Sequence, residues 1–372
     1  MINLFNKKKN YKTLIKLKKD RKHFRKWFSN LIYPDKFLFL AKIYEKFMLN
    51  IIQTFANVLI RTRNETQKIK RKKVVYQVYQ NFISNEYNFT WLSIIFYILI
   101  SFIPIIYLVS FLNITINDNI PTLIKHVEKF YLSKGFESIQ KQQVFQYLFN
   151  SVVFNKFIPD GNMHLIIQNE VQDNSFKIYS LLPGSFIAIP SLYIASGGYG
   201  KLISAYNYIF SHNKIGSFWG NKIKGLSLVL LVAITLWFVS TINILIQASI
   251  YNNNSSVWLS DFVYIIFVGI FVFLLFVLLF KFTPSFKIKT KDTLKGAFIS
   301  WFPTFILVIL YTYLHKIVSY SKFGTTIGFF FAIGFFINWF VYFMFLGIIF
   351  NNAYYKNYIS SRTQPKKVYS FL

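Results

Sequence analysis

The chain has 372 residues, 54% of them apolar, 21% aromatic and only 15% charged, and its 42 Lys and Arg against 13 Asp and Glu give a net charge of +29. Soluble domains hold about 25% charged residues, so this balance points to lipid rather than a water-soluble core, and the positive excess asks for anionic partners. The absence of cysteine excludes disulfide frameworks, thiolate zinc sites and thiol nucleophiles.

The first 86 residues are a basic run without an uninterrupted apolar stretch, so no cleaved signal peptide is expected there. From Arg21 to Phe28 cations alternate with aromatics. RNA-binding arms share this pattern, but a lipid surface is the more economical partner, each Lys or Arg near an anionic leaflet contributing about 1 kcal/mol. Further on, Lys42, Lys46, Asn50, Gln53, Asn57 and Arg61 recur at three or four residues, while Phe39, Ile43, Phe47, Ile51, Phe55, Val58 and Leu59 occupy other faces. The spacing predicts an amphipathic helix lying in the headgroup plane. Lys22, Arg25, Lys26, Trp27, Lys42, Lys46 and Arg61 are its expected contacts to anionic headgroups of the inner leaflet, and no nucleic acid is expected as a partner.

Six later stretches, at 91–112, 178–200, 226–246, 262–280, 296–314 and 325–350, contain no Asp, Glu, Lys, Arg or His. Each is long enough to cross a ~30 Å hydrocarbon core as a helix. Basic residues alternate between the intervening segments, 34 on one side and 8 on the other, so the positive-inside rule puts both termini in the cytoplasm. An even number of spans requires the same. The 65 residues from 113 to 177 form the large extracytoplasmic loop, helical-looking at 123–136 and 140–153; the Asn113, Ile114, Thr115 sequon within it carries little weight in a chain of bacterial character. The expected fold is therefore all-α and polytopic: a basic arm over 1–86, a six-helix membrane domain over 87–356 and a basic tail over 357–372.

Chemistry needs converging ionisable groups, and the five histidines, His23, His126, His164, His212 and His315, are scattered without metal-ligand spacing. No catalytic residue, metal or cofactor is expected. Ion-coupled carriers mark their route with intramembrane charges, which the six stretches lack. Polar residues within them include Ser101, Ser191, Ser196, Thr235, Ser240, Thr241, Asn243, Ser300 and Asn338; for most, helix–helix contact worth about 1 kcal/mol or less is the simpler role. Pro104, Pro183, Pro190 and Pro303 interrupt the backbone ladder and can face a cavity or serve packing. Uncharged, proline-bearing spans suit a carrier or flippase for a lipid-like or neutral substrate. A non-transporting envelope scaffold is the alternative, and a membrane-tethered nuclease a remote one.

Four motifs add a resemblance. Ser196, Gly198, Leu202, Ala205, Asn207 and Phe210 follow the pattern Ser-x-Gly-x3-Leu-x2-Ala-x-Asn-x2-aromatic. Tyr97, Ser101, Phe102 and Pro104 follow Tyr-x3-Ser-x-x-Pro, with Glu86 before them. Pro284 and the Gly296–Ala297 pair, then Tyr320, Phe323, Gly324 and Gly347, complete the order. Over about residues 70–355 the chain resembles the YihY/virulence factor BrkB family of bacterial inner-membrane proteins. The resemblance implies a six-helix, multi-pass protein of the bacterial plasma membrane, with envelope or transport roles; the ribonuclease label once given to members finds no support in these residues. The chain has Gly347, Ile348 and Ile349 where the family has Gly-Ala-Glu, and Phe336, with Trp339 nearby, where the family has Trp. Tyr97, Ser101, Pro104, Ser196, Gly198, Leu202, Asn207, Gly296, Gly324, Asn338 and Gly347 are the candidate substrate-path or motif positions.

Overall fold

A computed structural model describes residues 35–83, 88–133, 144–154, 181–212, 217–253, 257–314 and 325–366. The chain divides into two compact units, Met1–Tyr79 and Gln80–Leu372. Among the described residues every regular element is helical, apart from one isolated bridge between Phe286 and Pro365.

In the first unit, α1 (Asp35–Leu59) is followed by α2 (Glu65–Ile83), which runs on past the unit's end. Met48, Ile52, Ala56 and Ile60 are buried at four-residue spacing, the apolar stripe of an amphipathic helix. Phe47, Val58 and Lys46 are exposed. The two helices are joined by the Tyr79 hydroxyl, which donates to Glu45 Oε2 at 3.2 Å, and by Arg71, whose guanidinium donates to the Ile60 carbonyl at 3.5 Å. Lys68 and Glu65 form the single ion pair among the described residues, and both are exposed, so it adds little stability. Of the expected headgroup contacts, Lys46 and Arg61 are exposed. Lys22, Arg25, Lys26, Trp27 and the Lys42 side chain lie outside the described residues.

The second unit is a ring of long helices. It comprises α3 (Asn88–Asn119), the short α4 (Pro121–Leu132), α5 (Val144–Leu148) with a π-turn over Phe149–Phe154, α6 (Leu181–Ile209), α7 (Phe218–Asn252), α8 (Val257–Phe282), α9 (Thr290–Leu314) and α10 (Thr325–Tyr358). Around the ring α3 packs on α6, α6 on α7, α7 on α8, α8 on α9, α9 on α10, and α10 back on α3, while α7 also touches α3. Among the described residues five segments are long and apolar enough to cross a membrane: Trp91–Asn113, Phe218–Asn252, Leu259–Phe282, Thr290–Leu310 and Gly334–Tyr358. The sixth member, α6, has 29 residues; the first three positions of its expected span, 178–180, lie outside the described residues. Helices are what hydrocarbon permits, because each backbone N–H and C=O must find its partner within the segment. The chain is thus an all-α, multi-pass membrane protein.

The helices outrun the charge-free stretches. The first continues to Asn119 rather than ending near 112, and the turn to α4 is set by Pro121 at its first helical positions. In the loop that follows, helix covers Pro121–Leu132, and Val144–Leu148 runs on into the π-turn through Phe154, falling on the expected 123–136 and 140–153 except that the first starts two residues early and the second ends one late; positions 134–143 lie outside the described residues. Asn113 is fully buried and its amide donates to Gln146 Oε1 at 3.1 Å, so the sequon asparagine is not available to a glycan. α7 starts on Ser217, whose hydroxyl accepts the Gly220 N–H at 3.1 Å, a helix N-cap. α6 stops with Ser211 at φ 54°. There the His212 N–H bonds the Asn207 carbonyl and the Ser211 N–H the Tyr208 carbonyl, the Schellman arrangement that closes a helix C-terminus.

Close approach between helices depends on glycine at two places on α6 and α7. A Cβ on Gly198 would overlap Cβ of Tyr97 on α3, and one on Gly225 would overlap the Ser196 carbonyl and crowd the Gly200 nitrogen. The obstacles are backbone or the root of a side chain, so neither can yield cheaply. Gly225→Ala and Gly198→Ala are each expected to destabilise the protein by about 1–3 kcal/mol, the cost of overpacking, read as a lower midpoint of thermal unfolding in detergent. Gly334→Ala, where a Cβ meets nothing within 4 Å, serves as the neutral comparison.

Candidate functional site

Two groups of polar residues stand out within the ring, one at each end. The first lies where 201–225, 281–295 and the residues after 350 gather, segments that together hold 13 basic residues and the single acid Asp292. Asn207, at the end of α6, is fully buried. Its amide nitrogen donates to Ser285 Oγ at 2.9 Å and its amide oxygen accepts the Ser285 N–H at 3.0 Å. One side chain thus holds the α8–α9 connection by both faces of a residue 78 positions away. The tail completes the layer: the Lys287 N–H bonds the Gln364 carbonyl, the Lys366 N–H bonds the Ser285 carbonyl, and His212 Nδ1 lies 2.7 Å from Thr363 Oγ1. Beneath it, Tyr206, Phe210, Phe286 and Tyr355 form one aromatic cluster.

A turn away, α9 and α10 meet backbone to backbone. A Cβ on Gly296 would overlap the Gly347 carbonyl and the Asn351 amide, and one on Gly347 would overlap Ser300 Oγ and the Gly296 carbonyl. Asn351 bridges the seam, accepting the Gly296 N–H at 2.8 Å and donating to the Thr293 carbonyl at 3.2 Å. Ser300 Oγ donates to the Phe343 carbonyl at 2.9 Å. Ile349, at the position of the family's glutamate, is buried.

The remaining candidates fall into smaller groups. Lys201 donates to the Tyr97 hydroxyl oxygen at 2.8 Å, next to the Tyr97–Gly198 contact. Ser101 is buried and donates to the Ile98 carbonyl at 2.7 Å, Ser196 likewise to Tyr193 at 2.8 Å. Pro104 and Leu202 are buried, and Asn338 is half-buried on α10. Gly324 lies outside the described residues.

The second group sits near the opposite end. Between the π-turn, α7 and α8 opens a small, open-mouthed cleft with a cavity volume of about 20 Å³, room for about one water. Its walls are apolar, among them Val153, Leu236, Val239, Phe267 and Phe271, with Ser240, Asn243 and Tyr264 the polar residues. Asn243 is 3% exposed, and its amide oxygen meets no hydrogen-bond donor among the described residues. Ser240 donates back to the Trp237 carbonyl, so its hydroxyl is already engaged. Among the described residues no group of three His, Asp or Glu could hold a metal ion.

Sequence reasoning singled out Asn207, Gly198, Gly296 and Gly347 but not the partners Ser285 and Asn351, nor Tyr97 as the neighbour of Gly198, and it missed Gly225, which packs on the Ser196 backbone. Asn351 directly follows the sixth charge-free stretch, and the pair Asn351–Asn352 at a span end was the available signal. Asn243 was one of many Ser, Thr and Asn residues in the spans, with nothing local to mark it.

The chain matches the family model described as Virulence factor BrkB over residues 78–369 and belongs to that family. No curated protein and no solved structure matches it.

The two asparagine clamps carry a measurable share of stability. Asn351→Leu removes two buried hydrogen bonds across the α9–α10 seam, and Asn207→Leu strands the Ser285 N–H; each is expected to cost about 2 kcal/mol. Thermal unfolding in detergent checks this, with half-buried Asn338→Leu expected to move the midpoint far less.

Proposed function

We propose that this protein is a carrier or flippase of the bacterial plasma membrane, with both termini cytoplasmic, that moves a lipid-like or neutral substrate and performs no covalent chemistry. One observation carries the reading: the Asn243 amide oxygen, buried and without a donor, in an apolar cleft between membrane helices. A buried polar atom left unpaired costs roughly 1–3 kcal/mol. A passenger that presents a hydroxyl or amide donor at this cleft would recover that cost, whereas a bare ion would find no counter-charge there. Asn243 stands three residues inside the outer limit of its charge-free stretch, 226–246, a depth that suits a lipid entering from the outer leaflet.

The test is movement in proteoliposomes of the purified full-length protein, with a fluorescent phospholipid scored by dithionite quenching and a parallel release assay for small neutral solutes. Transport of either probe is expected, and Asn243→Leu is expected to slow it by about tenfold, the equivalent of one hydrogen bond, while leaving the unfolding midpoint unchanged or raised. If folded wild-type protein moves neither probe, the carrier reading fails and a non-transporting envelope scaffold takes its place.

A further inference from the structure

The basic end contains lysines that the packing alone does not account for. Lys224 on α7 donates to the Pro284 carbonyl at 2.9 Å, Lys281 in the last turn of α8 donates to the Ile288 carbonyl at 2.6 Å, and Lys366 in the tail reaches the Lys281 carbonyl at 3.4 Å. All three are half-buried. They surround one short connection, 283–288, and Lys366 is near enough to both Lys224 and Lys281 for their charges to repel. Each ammonium has three donors and the structure gives each one carbonyl, so most of their hydrogen-bonding capacity is unspent.

Among the described residues no carboxylate forms an ion pair with these lysines. The acid in these segments, Asp292, acts electrostatically on Tyr355, and no described lysine of the second unit is ion-paired. The other cations nearby are engaged or exposed: Lys222 lies over the Tyr193 ring, Lys295 over Tyr354, Lys356 donates to Ser211, and Lys287, Lys289, Lys291 and Arg362 face outward. Burial and the neighbouring Lys281 charge hold the Lys366 ammonium below the usual lysine range. Withdrawing like charges from water together is costly unless something opposite joins them.

We propose that Lys224, Lys281 and Lys366 form a binding site for a phosphate-bearing anion at the basic end of the helix ring. A tetrahedral phosphate presents several acceptor oxygens and at least one negative charge, which matches three ammonium groups gathered around one short connection with donors to spare. The position, at the ends of membrane helices, admits two sources: the headgroup of an anionic phospholipid, or a soluble phosphate from the aqueous side. The site does not depend on the carrier reading, since it requires binding and no movement.

The experiment uses full-length protein in a neutral detergent, with thermal midpoint and native mass spectrometry as readouts. The probes are phosphatidylglycerol, phosphatidylcholine, and inorganic phosphate against chloride at equal ionic strength. Phosphatidylglycerol or phosphate is expected to raise the midpoint and phosphatidylcholine to do so far less. Lys224→Gln and Lys366→Gln are each expected to weaken binding about tenfold or more, with Lys366→Arg retaining it. Without added anion the glutamine variants are expected to be at least as heat-stable as wild type, because a repulsion has been removed. A response to phosphatidylglycerol alone assigns the headgroup; a response to inorganic phosphate assigns a soluble ligand. The proposal is overturned if neither probe binds wild type, if phosphatidylcholine binds as well, or if Lys287→Gln and Lys289→Gln on the same connection lose as much, which would make the effect diffuse surface charge. Wild-type lipid selectivity decides the matter even where a glutamine variant does not fold.

Discussion

Within hydrocarbon, helices gain nothing from hiding apolar surface from one another, since lipid tails are as apolar as leucine. Their association has to come from close contact and from hydrogen bonds that lipid cannot offer. This constraint explains why the ring is drawn together at a few points: Gly198 on Tyr97, Gly225 on the Ser196 backbone, and Gly296 facing Gly347. At the last of these the backbones come near enough that Asn351 can reach across to a helix-interior N–H. Sulfur is absent from the clamps and charge is absent from the spans, so glycine and asparagine supply the geometry.

The architecture was largely legible in the sequence because hydropathy is a sum over about twenty residues, and such sums tolerate local exceptions. Helix ends are local and were not legible. α3 runs to Asn119 and α7 from Phe218 through Asn252, since nothing in a charge count marks where a backbone ladder stops once it leaves lipid. Partners were less legible still. Asn207 belongs to a recognisable motif, yet Ser285 is 78 positions away, and the closeness of Gly296 to Gly347 follows from two helices meeting, which no periodicity within either one encodes. Asn243 shows the same limit from the other side: it is a polar residue among several in its helix until α8 and the π-turn enclose it.

The two ends of the ring differ in kind. At one, lysines crowd a short connection and answer only to carbonyl oxygens; at the other, a neutral cleft holds an amide oxygen with no donor. The buried Ile349 adds to the contrast. Where the family has a glutamate this chain has an alkyl group, so no internal carboxylate at that position can balance the lysines or carry a proton between the ends. An amphipathic passenger has the same polarity as the ring, with an anionic or polar head and an uncharged body.

A single element connects the two sites. α7 carries Lys224 near its start and Asn243 toward its far end, nineteen residues later and hence about 28 Å along the axis at 1.5 Å per residue. That is close to the thickness of the hydrocarbon core. The helix is continuous and has no internal proline, unlike α3, α6 and α9, which carry Pro104, Pro190 and Pro303. It touches α3, α4, α6, α8 and the π-turn, so the helix that carries both groups is also the one packed against most of the ring, and the proline-bearing helices lie around it.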